Sequence, residues 1–439
     1  MAQIYRPAPR RKTTQQQWLR DAKVVGLDHQ GRGVIRTSKG VRFVAGALPE
    51  EVVDVVPKGK WDAELRTLKT TSEQRCQADC RYYERCGGCD LQHLHLAAQR
   101  QHKQQVVSEL FAKFAEHEIS TWLPPLTAAA WRYRRRLRLA CHWDAKRKKL
   151  KLGLRQANSK TIVEINDCLV TQTSLTQLFA PLRELLPQLN LVNQLGHVEL
   201  LSSTTNCVIL RVKSWPNKDD SQQLKAFADR HNVDVWLHSD DGPPRPLNKQ
   251  QELPKYRSWQ SELAFQPGDF LQAHAELSEA MVAQAVAWLA PQRDEKILEL
   301  YAGSGNFSLP IALQGAQVTA IEGVASMVDR LRYNAQQYAL TIDARQADLE
   351  QNWQAYEWAQ TRYQKVFLDP ARAGAANAIK EVAQRRPQRI VYVSCAPDTL
   401  ARDAKQLFNA GYRLVQAQIV DMFPQTHHIE CLTWFEREA

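Results

Sequence analysis

The stretch Arg389-Ile-Val-Tyr-Val-Ser-Cys395-Ala-Pro-Asp-Thr399 constrains the fold more than any other. An unbroken run of β-branched and aromatic residues predicts a strand buried on both faces, the kind found inside parallel sheets. Three further runs share that character: Lys296-Ile-Leu-Glu-Leu-Tyr301, Gln317-Val-Thr-Ala-Ile-Glu322 and Lys365-Val-Phe-Leu-Asp369. From about residue 261 onward such strands alternate with helices, the signature of a doubly wound α/β domain. Ligands of open α/β sheets bind in the crevice beyond the carboxyl ends of the strands, and Cys395 stands at one of those ends. A free cysteine alone is more often a core filler than a nucleophile. Here other strands deliver polar groups to the same place, which favours chemistry.

The net charge of +11 is unevenly placed. Residues 1–75 hold 15 Lys/Arg against 8 Asp/Glu, and residues 131–160 hold 12 against 1, so the rest of the chain is net negative. Concentrated positive charge is the footprint of a polyanion partner, most plausibly nucleic acid. There is no apolar run of membrane-spanning length, and the polar, basic start lacks the apolar core of a secretory signal. Of nine cysteines, an odd count, four crowd into residues 76–89. That pattern favours metal or catalytic thiols in a reducing compartment over a disulfide framework, and predicts a cytoplasmic protein.

Along the chain, residues 1–17 read as a flexible basic tail. Residues 18–72 read as a small β-barrel with strands at Val24–Leu27, Gly33–Ile35, Val41–Val44 and Val52–Val56. Arg32 is expected at the tip of a tight turn, and with Arg36, Lys39 and Arg42 it tilts the barrel towards RNA. Residues 73–92, a cysteine-rich loop, join 131–260 in a mixed α+β central domain. The segment 93–130 is predicted to be helical over 93–118 and to pack on the last domain, 261–439. The run Arg132-Tyr-Arg-Arg-Arg-Leu-Arg138-Leu is expected as an edge strand with its cations outward.

Glu299-Leu-Tyr301-Ala-Gly303-Ser-Gly305-Asn306-Phe follows one strand and opens a helix, and Glu322 closes the next strand, 17 residues past Gly305. Glycines at such a turn let the backbone approach a ligand, and the acid can accept hydrogen bonds from ribose hydroxyls. The third glycine of the dinucleotide fingerprint is replaced by Ser308, and there is no phosphate-cradling Gly-Lys-Ser/Thr. A mononucleoside cofactor without phosphates, such as S-adenosylmethionine, fits better than NAD. Asp369, before Pro370, is placed to hold a base edge. Glu430, in Val420-Asp-Met-Phe-Pro-Gln-Thr-His427-His428-Ile-Glu430, is a candidate general base; by itself it would read as a strand glutamate in solvent. Adjacent His427 and His428 point different ways and do not argue for a metal.

Two long motifs here resemble the RNA uracil-C5 methyltransferases that use S-adenosylmethionine. They are Asp369-Pro-Ala-Arg372-x-Gly374 followed after fifteen residues by Ile390-Val-Tyr-Val-Ser-Cys395, and Val420-Asp421-x-Phe423-Pro-Gln-Thr-x-His428-Ile-Glu430. The resemblance covers nearly the whole chain. It implies a Rossmann-like methyltransferase domain, an N-terminal TRAM barrel, and a monomer acting on bacterial 23S ribosomal RNA. The shorter tRNA enzyme lacks both the barrel and the cysteines. It implies Cys395 as the nucleophile on uracil C6, Glu430 as the base that takes the C5 proton, and Asp369 as the residue that orients uracil. It implies S-adenosylmethionine contacts from Gln272, Tyr301, Gly303, Gly305, Asn306, Glu322, Asp348 and Asp369. One departure is Ala396, where the family usually carries Asn after the nucleophile.

Cys80-x5-Cys86-Gly-Gly-Cys89 could hold zinc or an iron–sulfur cluster on its spacing alone. The resemblance implies a [4Fe–4S] cluster on Cys80, Cys86, Cys89 and Cys168, with Cys76 as an extra thiol. The same chemistry on tRNA or on another ribosomal uracil, a non-catalytic RNA-binding module, and a zinc protein are the competing readings.

Overall fold

The computed structural model describes residues 18–239, 242–248 and 252–438; the expected tail, 1–17, lies outside them. The chain divides into two compact units, Met1–Gln77 with His93–His95, and Ala78–Gln92 with Leu96–Ala439.

In the first unit, β1 (Leu19–Leu27), β2 (Gly33–Thr37), β3 (Gly40–Val44), β4 (Val52–Lys58) and β5 (Asp62–Leu68) close a barrel in the order β1-β2-β3-β5-β4. Val24, Ile35, Val44, Val53 and Val55 fill it. Strand β5 was not foreseen, because Asp-Ala-Glu-Leu-Arg-Thr-Leu buries little beyond Ala63. It is recruited by pairing with β4 and β3 rather than by its own pattern. Arg32 is not an open cation: it bonds Asp28 and Asp62 (2.8 Å) and lies over the Phe43 ring at 4.5 Å. Arg36 and Lys39 remain exposed.

The second unit holds two seven-stranded sheets. One is built from β6 (Arg136–Asp144), β7 (Lys149–Arg155), β8 (Ile162–Glu164), β9 (His197–Leu201), β10 (Asn206–Arg211), β11 (Val233–His238) and β12 (Arg245–Pro246), ordered β12-β11-β10-β9-β6-β7-β8. The expected edge strand is corrected here. Its strand starts at Arg136 and pairs on both sides, with β9 and β7. Most of its cations are paired within the fold: Arg132 bonds Asp167 at 2.6 Å, Arg136 bonds Glu199, and Arg135 is buried, giving its Nε to the Gln272 carbonyl at 2.7 Å, while Arg138 stays exposed. Periodicity cannot report such pairing, because it registers the cations but not the carboxylates that distant segments bring to them.

A hairpin of β13 (Lys255–Ser258) and β14 (Ser261–Ala264) leads to the other sheet. That sheet comprises β15 (Lys296–Leu300), β16 (Gln317–Glu322), β17 (Ile342–Gln346), β18 (Lys365–Leu368), β19 (Arg389–Ser394), β20 (Tyr412–Val420) and β21 (Glu430–Arg437), in the order β17-β16-β15-β18-β19-β21-β20. The first five are parallel; β21 runs antiparallel between β19 and β20. This is the doubly wound α/β class that the apolar runs predict. The runs are unbroken because each strand feeds two cores: Ile390 and Tyr392 pack into one, Val391 and Val393 into the other. Helix α1 (Leu96–Leu110) adds Val106 and Val107 to the first of these cores, and α2 (Ala275–Leu289) adds Met281 and Val282 to the second. Two helices start at strand ends: α3 (Ser308–Leu313) after β15, and α4 (Pro397–Asn409) after β19. Pro397 occupies the first turn of α4, where its missing N–H costs nothing. Among the described residues no helix is long and apolar enough to cross a membrane.

A close approach fixes β7 against β8. A Cβ on buried Gly153 would lie 2.0 Å from the Val163 carbonyl oxygen. Gly153→Ala is therefore expected to destabilise the protein by about 1–3 kcal/mol, the usual cost of overpacking, read as a lowered urea midpoint.

Candidate active site

Strand pairing assembles the site. Asp369 and Cys395 are the first residues beyond β18 and β19, neighbouring parallel strands. Strand β21 enters the sheet from that same end, and Ser394 pairs with Cys431. One step further along this antiparallel register sets Cys395 across from Glu430, itself paired with Val420. Glu430 is 3% exposed, so it is no solvent-facing glutamate. All three groups hold their protons more tightly than usual. Burial, then Glu430 and Asp369, push the Cys395 thiol up to about 11, while Arg372 pulls it down. Burial, then Asp369, push Glu430 up, again opposed by Arg372. Burial pushes Asp369 up. Arg372 is thus the cation of this cluster, a role the sequence does not disclose.

The glycine turn after β15 forms the adjoining crevice. Tyr301, Gly303 and Gly305 take left-handed φ values of 60°, 56° and 104°. A Cβ on Gly305 would lie 2.7 Å from Leu309 Cδ1, so helix and turn meet only because glycine stands there. Glu322 accepts from the Gly303 N–H at 3.0 Å and the Val324 N–H at 2.9 Å, keeping a lone pair on each oxygen. Asn306 Oδ1 receives the Tyr256 hydroxyl at 3.4 Å, and Tyr256 lies under the Arg135 guanidinium that holds the Gln272 carbonyl. Asp348, beyond β17, accepts from the Glu350 N–H at 3.0 Å. Two buried polar atoms of the crevice lack partners, Gln272 Oε1 and the Tyr301 hydroxyl, while the Ser308 hydroxyl faces the buried Glu299 carboxyl. Buried polar atoms left this way point to a polar ligand. Glu299 was missed as a site residue, although an acid inside an apolar parallel strand is a legible signal. Burial, with Asp369 and Glu322 adding to it, pushes its carboxyl up to about 8.

The segment before Glu430 is clamped. Asp421, fully buried, accepts from Arg100 and Lys103, both at 2.8 Å, and Lys103 Nζ also reaches the Phe423 carbonyl at 3.0 Å. Tyr133 donates to the Pro424 carbonyl at 3.0 Å, and Gln99 exchanges hydrogen bonds with Gln425.

The sequence pattern of the tRNA (uracil-5-)-methyltransferases matches residues 95–438. The 23S rRNA (uracil(1939)-C(5))-methyltransferase RlmD of Shewanella baltica is 41% identical over 423 residues, covering 93% of this chain and 94% of that one. The Pseudomonas putida enzyme of the same name is 42% identical over 93% of this chain and 92% of its own. The chain belongs to the uracil-C5 methyltransferase family. In fold, the Pyrococcus abyssi tRNA (uracil-54, C5)-methyltransferase, solved with S-adenosyl-L-homocysteine, superimposes with a TM-score of 0.73 at 20% identity, over 95% of this chain and all of that one. A tRNA enzyme therefore spans almost the whole of this fold.

In this family member the four expected cysteines, Cys80, Cys86, Cys89 and Cys168, line one cavity with Tyr82, Arg134 and Asp167. Cys76 does not line it. Burial pushes the thiols of Cys80, Cys86 and Cys89 up, the last to about 12, so thiolates here call for a cationic centre. Among the described residues no three His, Cys, Asp or Glu side chains converge to hold one metal ion.

Lys103 also escaped sequence reading, since it sits among the apolar positions of α1 with only spacing to judge by. Lys103→Met strands the Asp421 carboxylate with Arg100 alone. It is expected to cost about 3 kcal/mol in urea unfolding, whereas Lys103→Met with Asp421→Asn costs less than the sum of the two changes.

Proposed function

We propose that the protein transfers a methyl group from S-adenosylmethionine to C5 of a uracil in 23S ribosomal RNA, the U1939-type site for which its relatives are named. The observation that carries the chemistry is the β19–β21 register, which sets a thiol across from a buried carboxyl beside Asp369.

Uracil C5 is too weak a nucleophile to take a methyl group unaided. The Cys395 thiolate adds to C6, and the C5–C6 electron pair moves into an enolate. Asp369, held protonated by burial, donates a hydrogen bond to that enolate. S-adenosylmethionine, when bound, supplies an electrophilic methyl group on a cationic sulfur. With the methyl on C5, the Glu430 carboxylate takes the C5 proton. The freed pair restores the C5–C6 double bond, and the C6–S bond breaks to return the thiolate. Gln272, Tyr301, Gly303, Gly305, Asn306, Glu322 and Asp348 form the cofactor crevice, with Glu299 added to them. The target base must leave its stack to reach it.

Cys80, Cys86, Cys89 and Cys168 are assigned to a [4Fe–4S] cluster, which would cross-link the loop to the segment around Cys168. Iron and sulfide after anaerobic purification support this; stoichiometric zinc without sulfide overturns it. A thiol-ligated cluster and an RNA substrate both fit the cytoplasm.

RNA carrying 5-fluorouridine, which has no removable C5 proton, should trap a covalent adduct on Cys395 when incubated with S-adenosylmethionine; mass spectrometry of the digested complex reads it. Cys395→Ala should give no adduct. Glu430→Gln should form adducts with ordinary uridine RNA but release product about 10²–10⁴-fold more slowly. Methyl transfer to tRNA and not to 23S RNA would reverse the substrate assignment.

Cofactor binding should depend on pH with a definite sign. In the free protein Glu299, near 8, holds a proton at neutral pH. A cationic ligand favours its ionised form, so affinity rises with pH up to about 8 and then levels. S-adenosylhomocysteine, without the sulfonium charge, should show a shallower slope by calorimetry. Equal slopes would mean Glu299 does not face the sulfonium.

A further inference from the structure

The residue after Cys89 reaches the loop that carries Glu430. Asp90 accepts from the His427 backbone N–H at 2.8 Å and engages His427 Nδ1 with its other oxygen. The backbone N–H groups of Asp90 and Leu91 both donate to the Gln425 carbonyl, at 3.2 and 3.0 Å. Gln425 itself is held at a φ of 69°, so the loop is bent at the point of contact. The tie continues on the cysteine side: Tyr83 donates to the Asp90 carbonyl at 2.7 Å, and Tyr83 and Cys89 both line the thiol cavity. Cys395 has no such dependence, because it leaves a central strand paired on both edges.

From these contacts we infer that Asp90 is a positioning residue. It couples ligation at Cys89 to the placement of Glu430, through His427 and Gln425. This rests on the function proposed above and concerns one step of it. Thiol addition to C6 depends on β19 and is spared when the tie is cut. Removal of the C5 proton depends on the 424–430 loop and is slowed. The methylated adduct, with its C6–S bond intact and its C5 proton in place, then accumulates.

The test uses the purified holoenzyme with 23S-derived RNA, comparing wild type with Asp90→Ala, His427→Ala and the double variant. His427→Ala removes the imidazole contact of the tie from the far side, keeps its backbone contacts, and leaves the cysteine loop untouched. Iron and sulfide content is measured for each, and hydrogen exchange over residues 423–430 is followed with no RNA present. Both single variants should form adduct at the wild-type rate and resolve it at least about tenfold more slowly. They should show faster exchange over 423–430 and an unchanged KM for RNA. The double variant should be no worse than either single one, because both remove the same tie. His427→Ala should keep its full iron. Wild-type resolution rates in His427→Ala, or losses that add in the double variant, overturn the inference. Equal slowing of adduct formation and resolution also overturns it, since that marks a general structural role. Absence of any adduct in the wild type would instead sink the proposed function.

Discussion

The insertion of β21 between β19 and β20 is the pairing on which the site depends. In an all-parallel sheet every strand leaves its carboxyl end at the crevice, and only residues just beyond those ends can meet there. A strand that runs the other way delivers its first residue to the same place. Ser394 against Cys431 is therefore more than a ladder pair: it fixes the separation of a thiol and a buried carboxyl that lie 35 positions apart in sequence. A register slip of one residue would turn Glu430 to the opposite face of the sheet. The surroundings hold the register: Phe435 packs in one core and Leu432 in the other, and Asp421 is anchored to Arg100 and Lys103 just upstream.

The second constraint is electrostatic. Glu299, Asp369, Glu430 and Cys395 crowd acidic groups into a buried region, with Arg372 as the cation that opposes them at Cys395 and Glu430. Burial disfavours each charged form and the neighbouring acids add to the effect, so these groups favour their protonated forms. A cation brought to this point would favour the ionised forms instead.

Much of this was readable beforehand, and the failures share a cause. The apolar runs announced the parallel strands, because burial on both faces leaves no room for polar residues. The glycine turn and the two long motifs announced the crevice. Pairing between distant segments was not readable. Strand β5 of the barrel is polar and exists through its neighbours. The Arg132–Arg138 run resembled an edge strand because Asp167 and Glu199 lie some 35 to 63 residues away. Lys103 lies 318 residues from Asp421. Local pattern reports which face is buried and is silent about which charges are neutralised there.

That silence changes where RNA is met. The charge excess over residues 131–160 is split by the structure. Arg132, Arg135 and Arg136 are committed to Asp167, the Gln272 carbonyl and Glu199, so they hold the sheet against the catalytic crevice and contribute little outward charge. The exposed cations of the stretch are Arg138, Lys146, Arg147, Lys148, Lys149, Lys151, Arg155 and Lys160, of which five gather on the β6–β7 hairpin and its turn. Charges at a hairpin tip can follow a phosphate backbone without giving up packing, whereas Arg136 leaves buried Glu199 only at a cost. The first half of the basic run is thus largely engaged within the fold, and the second half leaves its cations at the surface.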